Sequence, residues 1–383
     1  MSLKNRLRLI RKTGAPRPPA ALPESAAPET GPEAPAGWEP LGFKSARRRV
    51  TLDFAPPLSG GLPQELPRPL SILIPDLRHY LADAGAGGKL LPEDLLFFDL
   101  ETTGLSIAAG TVAFLAAFGR LSPGTGAWRG AWRLAVEQYL LLDFPGEPDF
   151  LTALLAEFRP SGERPLLVVT YNGKTFDSQI LKTRCLFMGM PLPEYHHADL
   201  LHPARRLWKR VLPSCSQGVI ETQALGLERD GDVPGAEAPD IWFDFLKTGR
   251  TERLDLISAH NVRDIAGLAS LFAAFADIAA QPESALERYR GDIERLALHW
   301  LRQCPPDSPG GDHRTGRALL EAAAALGCPE AVIRRAIEAE WRERNPALAL
   351  ALVEKALEQG PGAFGEALRY RRDRLLGKVR RDR

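Results

Sequence analysis

Asp99 and Glu101 are two carboxylates two residues apart, in the stretch Phe97-Phe98-Asp99-Leu100-Glu101-Thr102-Thr103-Gly104-Leu105-Ser106. Leu95 to Leu100 has the composition of a short apolar strand, and the glycine after it is a turn signal. Side chains alternate along a strand, so both acids project from one face with Cα atoms about 7 Å apart. Like charges so placed raise each other's pKa unless a shared proton, a basic side chain or a divalent cation lies between them. By itself such a pair at a strand end is more often a solvated turn than a ligand set.

Two further stretches carry acids. Tyr171-Asn172-Gly173-Lys174-Thr175-Phe176-Asp177 closes a second apolar run and places Asp177 in the first turn of a helix. An acid there complements the helix dipole, and the carboxyl end of a strand is also where α/β sheets gather ligands. Ser258-Ala259-His260-Asn261-Val262-Arg263-Asp264 falls on a helix expected from about Glu252 to Ala276, with Leu254, Ile257, Ile265, Leu268 and Phe272 as its apolar stripe. Asp264 lies beside that stripe with His260 one turn before it, and a carboxylate turned toward a core requires a metal or a strong donor.

Strands are expected at Leu95–Leu100, Thr111–Phe118, Trp132–Leu141 and Leu166–Tyr171, with helical spacing at Glu147–Phe158 and Phe176–Met188. The order β-β-β-α-β-α is that of an α/β, ribonuclease H-like mixed sheet with flanking helices. From about Glu283 the chain turns Ala-, Leu-, Arg- and Glu-rich. Helices are expected at Glu283–Gln303, Arg314–Leu326, Pro329–Glu343, Pro346–Glu358 and Gly365–Val379, either a degenerate tetratricopeptide-like repeat or a plain bundle. Thr13 to about Pro40 is too rich in Pro and Ala to bury much surface. The expected division is a largely disordered segment 1–70, a ribonuclease H-like domain 71–280 and a helical module 281–383.

The 383 residues have a net charge of +1, unevenly spread. Residues 1–50 contribute +6 and residues 365–383 +5, which leaves the middle near −10 and argues against a body that grips DNA by charge alone. Arg47-Arg48-Arg49 either touches nucleic acid or is a solvated face, and the tail from Arg369 to Arg383 is basic enough to help hold a polyanion. Cys185, Cys215, Cys304 and Cys328 form no disulfide or zinc pattern, and no stretch has signal-peptide or membrane-span character. A soluble, cytoplasmic protein is expected.

Taken together, Asp99-x-Glu101-Thr-Thr-Gly104, Asn172-x-x-x-Phe176-Asp177 and His260-x-x-x-Asp264 resemble the three exonuclease motifs of the DEDD superfamily. More closely, residues 90–275 resemble the bacterial YprB-like ribonuclease H-like family. Gly110-Thr111 with Ala113-Phe114, Asp199-Leu-Leu-His-Pro-Ala-Arg-Arg-Leu-Trp208, Ile220-Glu221 and Asp232-Val-Pro-Gly235 followed by Pro239 carry that likeness. The resemblance implies hydrolysis of phosphodiester bonds in DNA or RNA, most simply 3′→5′ exonucleolytic, with two Mg²⁺ or Mn²⁺ ions about 3.5–4 Å apart. Asp99 would bridge both ions, Glu101 and Asp264 would hold the one carrying the attacking water, and Asp177 the other. Thr103, Gly104, Asn172 and Phe176 would position the terminal nucleotide, and His260 would orient or deprotonate the water. One departure stands out: the superfamily has a Tyr four residues, or a His five residues, before its last Asp, whereas His260 takes the tyrosine spacing.

Other clusters remain open at this level. His196, His197, Asp199 and His202 match no familiar zinc spacing. Arg205, Arg206, Trp208, Lys209 and Arg210 are either substrate contacts or a solvated helix face. The helical C-terminal part suits a protein partner. A structure-specific endonuclease, or a weakly active or inactive nucleic-acid-binding adaptor on the same fold, are the competing functions.

Overall fold

The structure, a computed structural model, describes residues 32–380 except 57–61, 85–87, 105, 107–109, 125–131, 161–163, 230, 307–311 and 361. Residues 13–31 of the Pro/Ala-rich segment, Leu105, Arg381 and Arg383 lie outside the described residues.

Seven strands form one mixed sheet: β1 (Glu39–Gly42), β2 (Ser45–Phe54), β3 (Leu95–Thr102), β4 (Ala113–Pro123), β5 (Trp132–Leu141), β6 (Leu167–Thr170) and β7 (His196–Asp199). Their order is β1-β2-β5-β4-β3-β6-β7. The pairs from β1 to β3 are antiparallel, and β3-β6 and β6-β7 are parallel. β3 is therefore the strand at which the sheet changes sense, a position whose carboxyl end is open to a ligand.

The expectation of disorder through residue 70 is corrected by β1 and β2. Along β2, Arg47, Arg49, Thr51 and Asp53 face outward while Ala46, Val50, Leu52 and Phe54 are sheltered, a clean period of two. The arginine run hides this alternation in the sequence. Arg47 pairs with Glu39 at 3.4 Å and Arg49 with Glu137 at 3.3 Å, whereas Arg48 turns inward beneath the Trp38 ring. The triplet is built into the sheet and is not a free basic arm.

Each face of the sheet has its own core. The even-numbered residues of β3, Leu96, Phe98 and Leu100, pack with α3 (Glu147–Glu157), α4 (Asp177–Phe187) and α7 (Ala238–Thr248) through Phe150, Ile180 and Trp242. The odd-numbered Leu95 and Phe97 pack against α8 (Glu252–Ala280), where Phe97 meets Phe272 edge-on at 6.2 Å. Gly119, opposite Phe97 on β4, lets α8 lie close to the sheet, because a Cβ there would sit 2.4 Å from Ile265 Cγ2. Ile265 is the neighbour of Asp264, so this close approach sets the depth of the acid.

Short helices α1 (Leu70–Leu73), α2 (Leu77–Asp83), α5 (Leu201–Trp208) and α6 (Gln217–Gln223) border the same core. The helix expected over 283–303 is two, α9 (Pro282–Arg288) and α10 (Ile293–Gln303), and α11 (Asp312–Ala325), α12 (Pro329–Trp341), α13 (Pro346–Glu358) and α14 (Gly365–Val379) follow. α10 through α14 pack each on the next, and their apolar residues continue the core that begins on the sheet. Buried Trp208 donates from Nε1 to the Tyr289 carbonyl at 2.9 Å, Arg210 pairs with Asp292 at 2.6 Å and Glu294 at 2.8 Å, and His299 Nε2 contacts the Ile72 carbonyl at 2.7 Å. Among the described residues no helix is long and apolar enough to cross a membrane.

The basic tail is also reassigned. Glu340 on α12 has a side chain only 1% exposed, and Arg371, Arg374 and Lys378 of α14 converge on it, Lys378 at 2.6 Å. Burial alone would raise this carboxyl, yet the hydrogen bonds from Lys378 and Arg374 hold it below its ordinary value. Three of the cations expected to hold a polyanion are spent on closing α14 onto α12. Removing one partner of a buried ion pair costs about 3–5 kcal/mol, and with these cations partly solvated Glu340→Ala should cost about 2 kcal/mol. Urea unfolding checks this, and an unchanged midpoint would show that the clasp contributes nothing.

Candidate active site

Alternation along β3 continues the α8-facing row from Leu95 and Phe97 to Asp99 and Glu101, so the two acids point at one end of α8. Asp177 arrives at the start of α4, the helix that follows β6. The β3-β6 ladder stops at Phe97 and Val169, and beyond it the Leu100 N–H donates to Asp177 Oδ1 at 3.1 Å. α8 supplies the rest: His260 Nε2 lies 3.1 Å from Asp264 Oδ2 and 3.9 Å from Glu101 Oε1. One ligand atom from each of Glu101, His260 and Asp264 falls within 4.8 Å of the others. The structure thus brings Asp99, Glu101, Asp177, His260 and Asp264 together.

Burial and mutual repulsion dominate the electrostatics. Asp99 is held well above the ordinary carboxylate range by burial and then by Asp264, Asp177 and Glu101, with a hydrogen bond from Asn261 opposing. Burial lifts Glu101 to about 8; His260 opposes this, and Asp264, Asp177 and Asp232 add to it. Asp177 is pushed to about 7 by burial, against the pull of its own backbone N–H and that of Leu100. His260 is brought up to about 9: burial disfavours its charge, but Asp264, Asp232 and Glu101 outweigh that. Carboxylates face both of its ring nitrogens, Asp232 at Nδ1 and Asp264 at Nε2, and favour the charged ring.

Among the described residues no Lys or Arg forms a salt bridge with Asp99, Glu101 or Asp177. Carboxylate oxygens are hard donors and suit Mg²⁺ or Mn²⁺ better than zinc. Among the described residues the group compact enough to hold one ion is Glu101, His260 and Asp264, with Asp99 and Asp177 adjoining it.

Several supporting residues have no role assigned to them by the sequence, although Glu221 and Asp232 stand in stretches that carry the family likeness. Asn261, fully buried, donates from Nδ2 to Asp99 Oδ2 at 2.8 Å and accepts from Gln138 Nε2 at 2.9 Å. Gln138 Oε1 in turn accepts from Arg48 Nε at 2.6 Å, so a polar chain runs across three strands to Asp99. A polar residue in the otherwise buried row Leu134, Val136 was the available signal for Gln138. Asp232, Arg229 and Glu221 form a second supporting group around His260 and Asp264.

The remaining expected residues divide. Asn172, exposed and at φ 66°, takes a hydrogen bond from Thr175, and its turn is held by Asp199, which accepts from the N–H groups of Asn172 and Lys174 at 2.8 and 3.0 Å. Thr103 Oγ1 accepts from the Val112 N–H, and Gly104 and Phe176 lie beside the acids in sequence on the same turns. Arg205 is exposed, but Arg206 donates to the Leu73 carbonyl at 3.0 Å and is a structural tie. His196 faces Asp83 at 3.3 Å, and His197 contacts Thr170 Oγ1 at 2.8 Å and is pulled down to about 4 by burial. With Asp199 capping a turn, that histidine cluster is structural and not a metal site.

The signs of these shifts agree on pH. Acids held above their unfolded values contribute stability below about pH 4–5 and lose it as pH rises through their folded values, here about 7 for Asp177 and about 8 for Glu101. His260 contributes below about pH 6.5 and loses its contribution through about 9. The melting temperature in EDTA should therefore fall between about pH 6 and pH 9, Mn²⁺ or Mg²⁺ should restore it, and Glu101→Gln should flatten the slope. A melting temperature that climbed over that interval would contradict the charge balance described.

Residues 96–276 match the family model described as RNase_H superfamily. The uncharacterized protein YprB of Bacillus subtilis (strain 168) is 38% identical over 182 residues, which are 47% of this chain and 41% of YprB. The chain thus spans about two fifths of the length of the curated relative it matches. A family B DNA polymerase from the hyperthermophilic archaeon Pyrobaculum calidifontis aligns with 55% of this chain and 29% of its own at 12% identity and a TM-score of 0.34, a slight likeness that bears on neither site nor activity. The stretch that matches the superfamily model carries all four acids, and the chain is similar to YprB over about half of its own length.

Proposed function

We propose that this chain is a metal-dependent phosphodiesterase that shortens DNA or RNA from the 3′ end. The observation that carries this reading is the convergence of Asp99, Glu101, Asp177 and Asp264 in a largely enclosed site where, among the described residues, no lysine or arginine pairs with the first three. A scaffold gains nothing from four acids that repel one another, whereas a polyanionic substrate can be brought to them only with cations.

Asp99, Glu101, Asp177 and Asp264 would hold one or two Mg²⁺ or Mn²⁺ ions. Bound there, such ions would supply Lewis-acid charge and lower the pKa of a coordinated water. The chain's own residues do the positioning. Asn261 leaves Asp99 one engaged and one free oxygen, and Leu100 N–H fixes Asp177. His260 Nε2, 3.1 Å from Asp264 and 3.9 Å from Glu101, would orient or deprotonate the attacking water. Thr103, Gly104, Asn172 and Phe176 on the adjoining turns would receive the terminal nucleotide, with Arg205 as a phosphate contact.

A partner-binding role for the C-terminal helices is consistent with exposed Leu326, Trp341 and Tyr370, and four free cysteines suit a reducing cytoplasm. Digestion of 5′-labelled single-stranded DNA and RNA with Mn²⁺, Mg²⁺ or EDTA tests the main reading. A metal-dependent ladder is expected, reduced at least about 100-fold by Asp99→Ala and by Asp177→Asn. Long internal fragments would instead indicate an endonuclease, and tight binding without cleavage, unaffected by either substitution, would leave an adaptor.

A further inference from the structure

His260 and Asp264 are gripped from a second direction by the loop between α6 and α7. Asp232 Oδ1 lies 2.6 Å from His260 Nδ1, on the side of the ring opposite Glu101 and Asp264. Arg229, three residues earlier, spreads its guanidinium over three carboxylates: Nη2 on Asp264 Oδ1, Nε on Asp232 Oδ2 at 2.9 Å and Nη1 on Glu221 Oε2 at 3.3 Å. The loop is anchored in the core. Glu221 on α6 is 3% exposed in its side chain and takes a hydrogen bond from Gln217 Nε2 at 2.8 Å, and the same Nε2 donates to the Asp264 carbonyl at 2.7 Å. Glu221 lies flat against α8 only because residue 267 is glycine: a Cβ there would stand 1.8 Å from its Oε1. Glycine is disfavoured within a helix relative to alanine, so its presence in the middle of α8 has a packing reason.

We infer that Asp232 and Arg229 are positioning residues of the hydrolytic centre, Asp232 fixing the His260 ring so that Nε2 faces Glu101 and Asp264, and Arg229 fixing the Asp264 carboxylate so that Oδ2 faces His260. The inference rests on the reading of that centre as hydrolytic. Neither residue touches the reacting atoms. A ring nitrogen held by a carboxylate determines where the other nitrogen points, and loss of such a partner typically lowers activity 10–100-fold. Glu221 and Gly267 then serve as the footing on which the clamp stands.

The test uses the full chain and two readouts. In ¹H–¹⁵N NMR of the imidazole, His260 should show a slowly exchanging, strongly deshielded Nδ1 proton that Asp232→Asn removes. In turnover, Asp232→Asn should lower kcat about 10–100-fold with KM little changed, and should add less than about twofold on a His260→Ala background. Arg229→Lys keeps a cation near Glu221 but removes the Nη2 contact with Asp264 Oδ1; it should lower kcat about tenfold while leaving the Nδ1 signal in place. The inference is overturned if Asp232→Asn leaves that signal unchanged, if its effect multiplies fully with that of His260→Ala, or if Arg229→Lys erases the signal as completely. Should Asp232→Asn not fold, Arg229→Lys and the wild-type Nδ1 signal decide alone, an absent wild-type signal being fatal. A wild-type protein inactive on every substrate, with the signal present and lost in Asp232→Asn, would sink the nuclease reading and keep the contact.

Discussion

Charge repulsion among four buried carboxylates is the constraint around which this structure is arranged. Asp99, Glu101, Asp177 and Asp264 come from three elements, and each lies where water cannot screen it well. The fold answers with donors of graded strength. Asn261 and the Leu100 N–H are neutral and satisfy one oxygen each, whereas His260 and Arg229 are charged and sit on the Asp264 side. The centre is consequently lopsided, with the β3 acids and Asp177 left undercompensated and Asp264 well paired. That asymmetry marks the side on which a cation gains most.

Holding such a centre requires rigid elements in fixed register. β3 is flanked on both sides, which prevents a one-residue slip that would turn Asp99 and Glu101 into the opposite core. α8 is 29 residues long, and two glycines set its neighbours: Gly119 below it on the sheet and Gly267 within it beside Glu221. Both replace side chains with close approach, and both lie within a few residues of Asp264 or of the residue that touches its neighbour.

The C-terminal helices continue the core on the α8 side, joined through Trp208, Arg210, Asp292 and His299. Basic residues that look free along the chain are largely committed to this joint: Arg206 to a carbonyl, Arg210 to two acids, and Arg371, Arg374 and Lys378 to Glu340. Charge counted by segment therefore overstates the charge available to a polyanion.

The groups of the centre and the elements that carry them were legible locally. Period-two alternation aligned Asp99 with Glu101, strand-then-helix order placed Asp177, and the i, i+4 relation joined His260 to Asp264, because each depends on a few neighbouring residues. What sequence could not supply was the partner of each polar side chain. Arg48 and Gln138 meet Asn261 across three strands, Arg229 and Asp232 reach α8 from a loop some 30 residues away, and Trp208 is buried against a helix 80 residues on. The strand nature of 45–54 is obscured in the sequence by the arginine run, although Val50-Thr51-Leu52-Asp53-Phe54 alternates strictly, and pairing with β5 places its sheltered side. Backbone periodicity is set within a turn or two of chain, whereas the cost of burying a charge is settled only by whatever tertiary packing brings next to it.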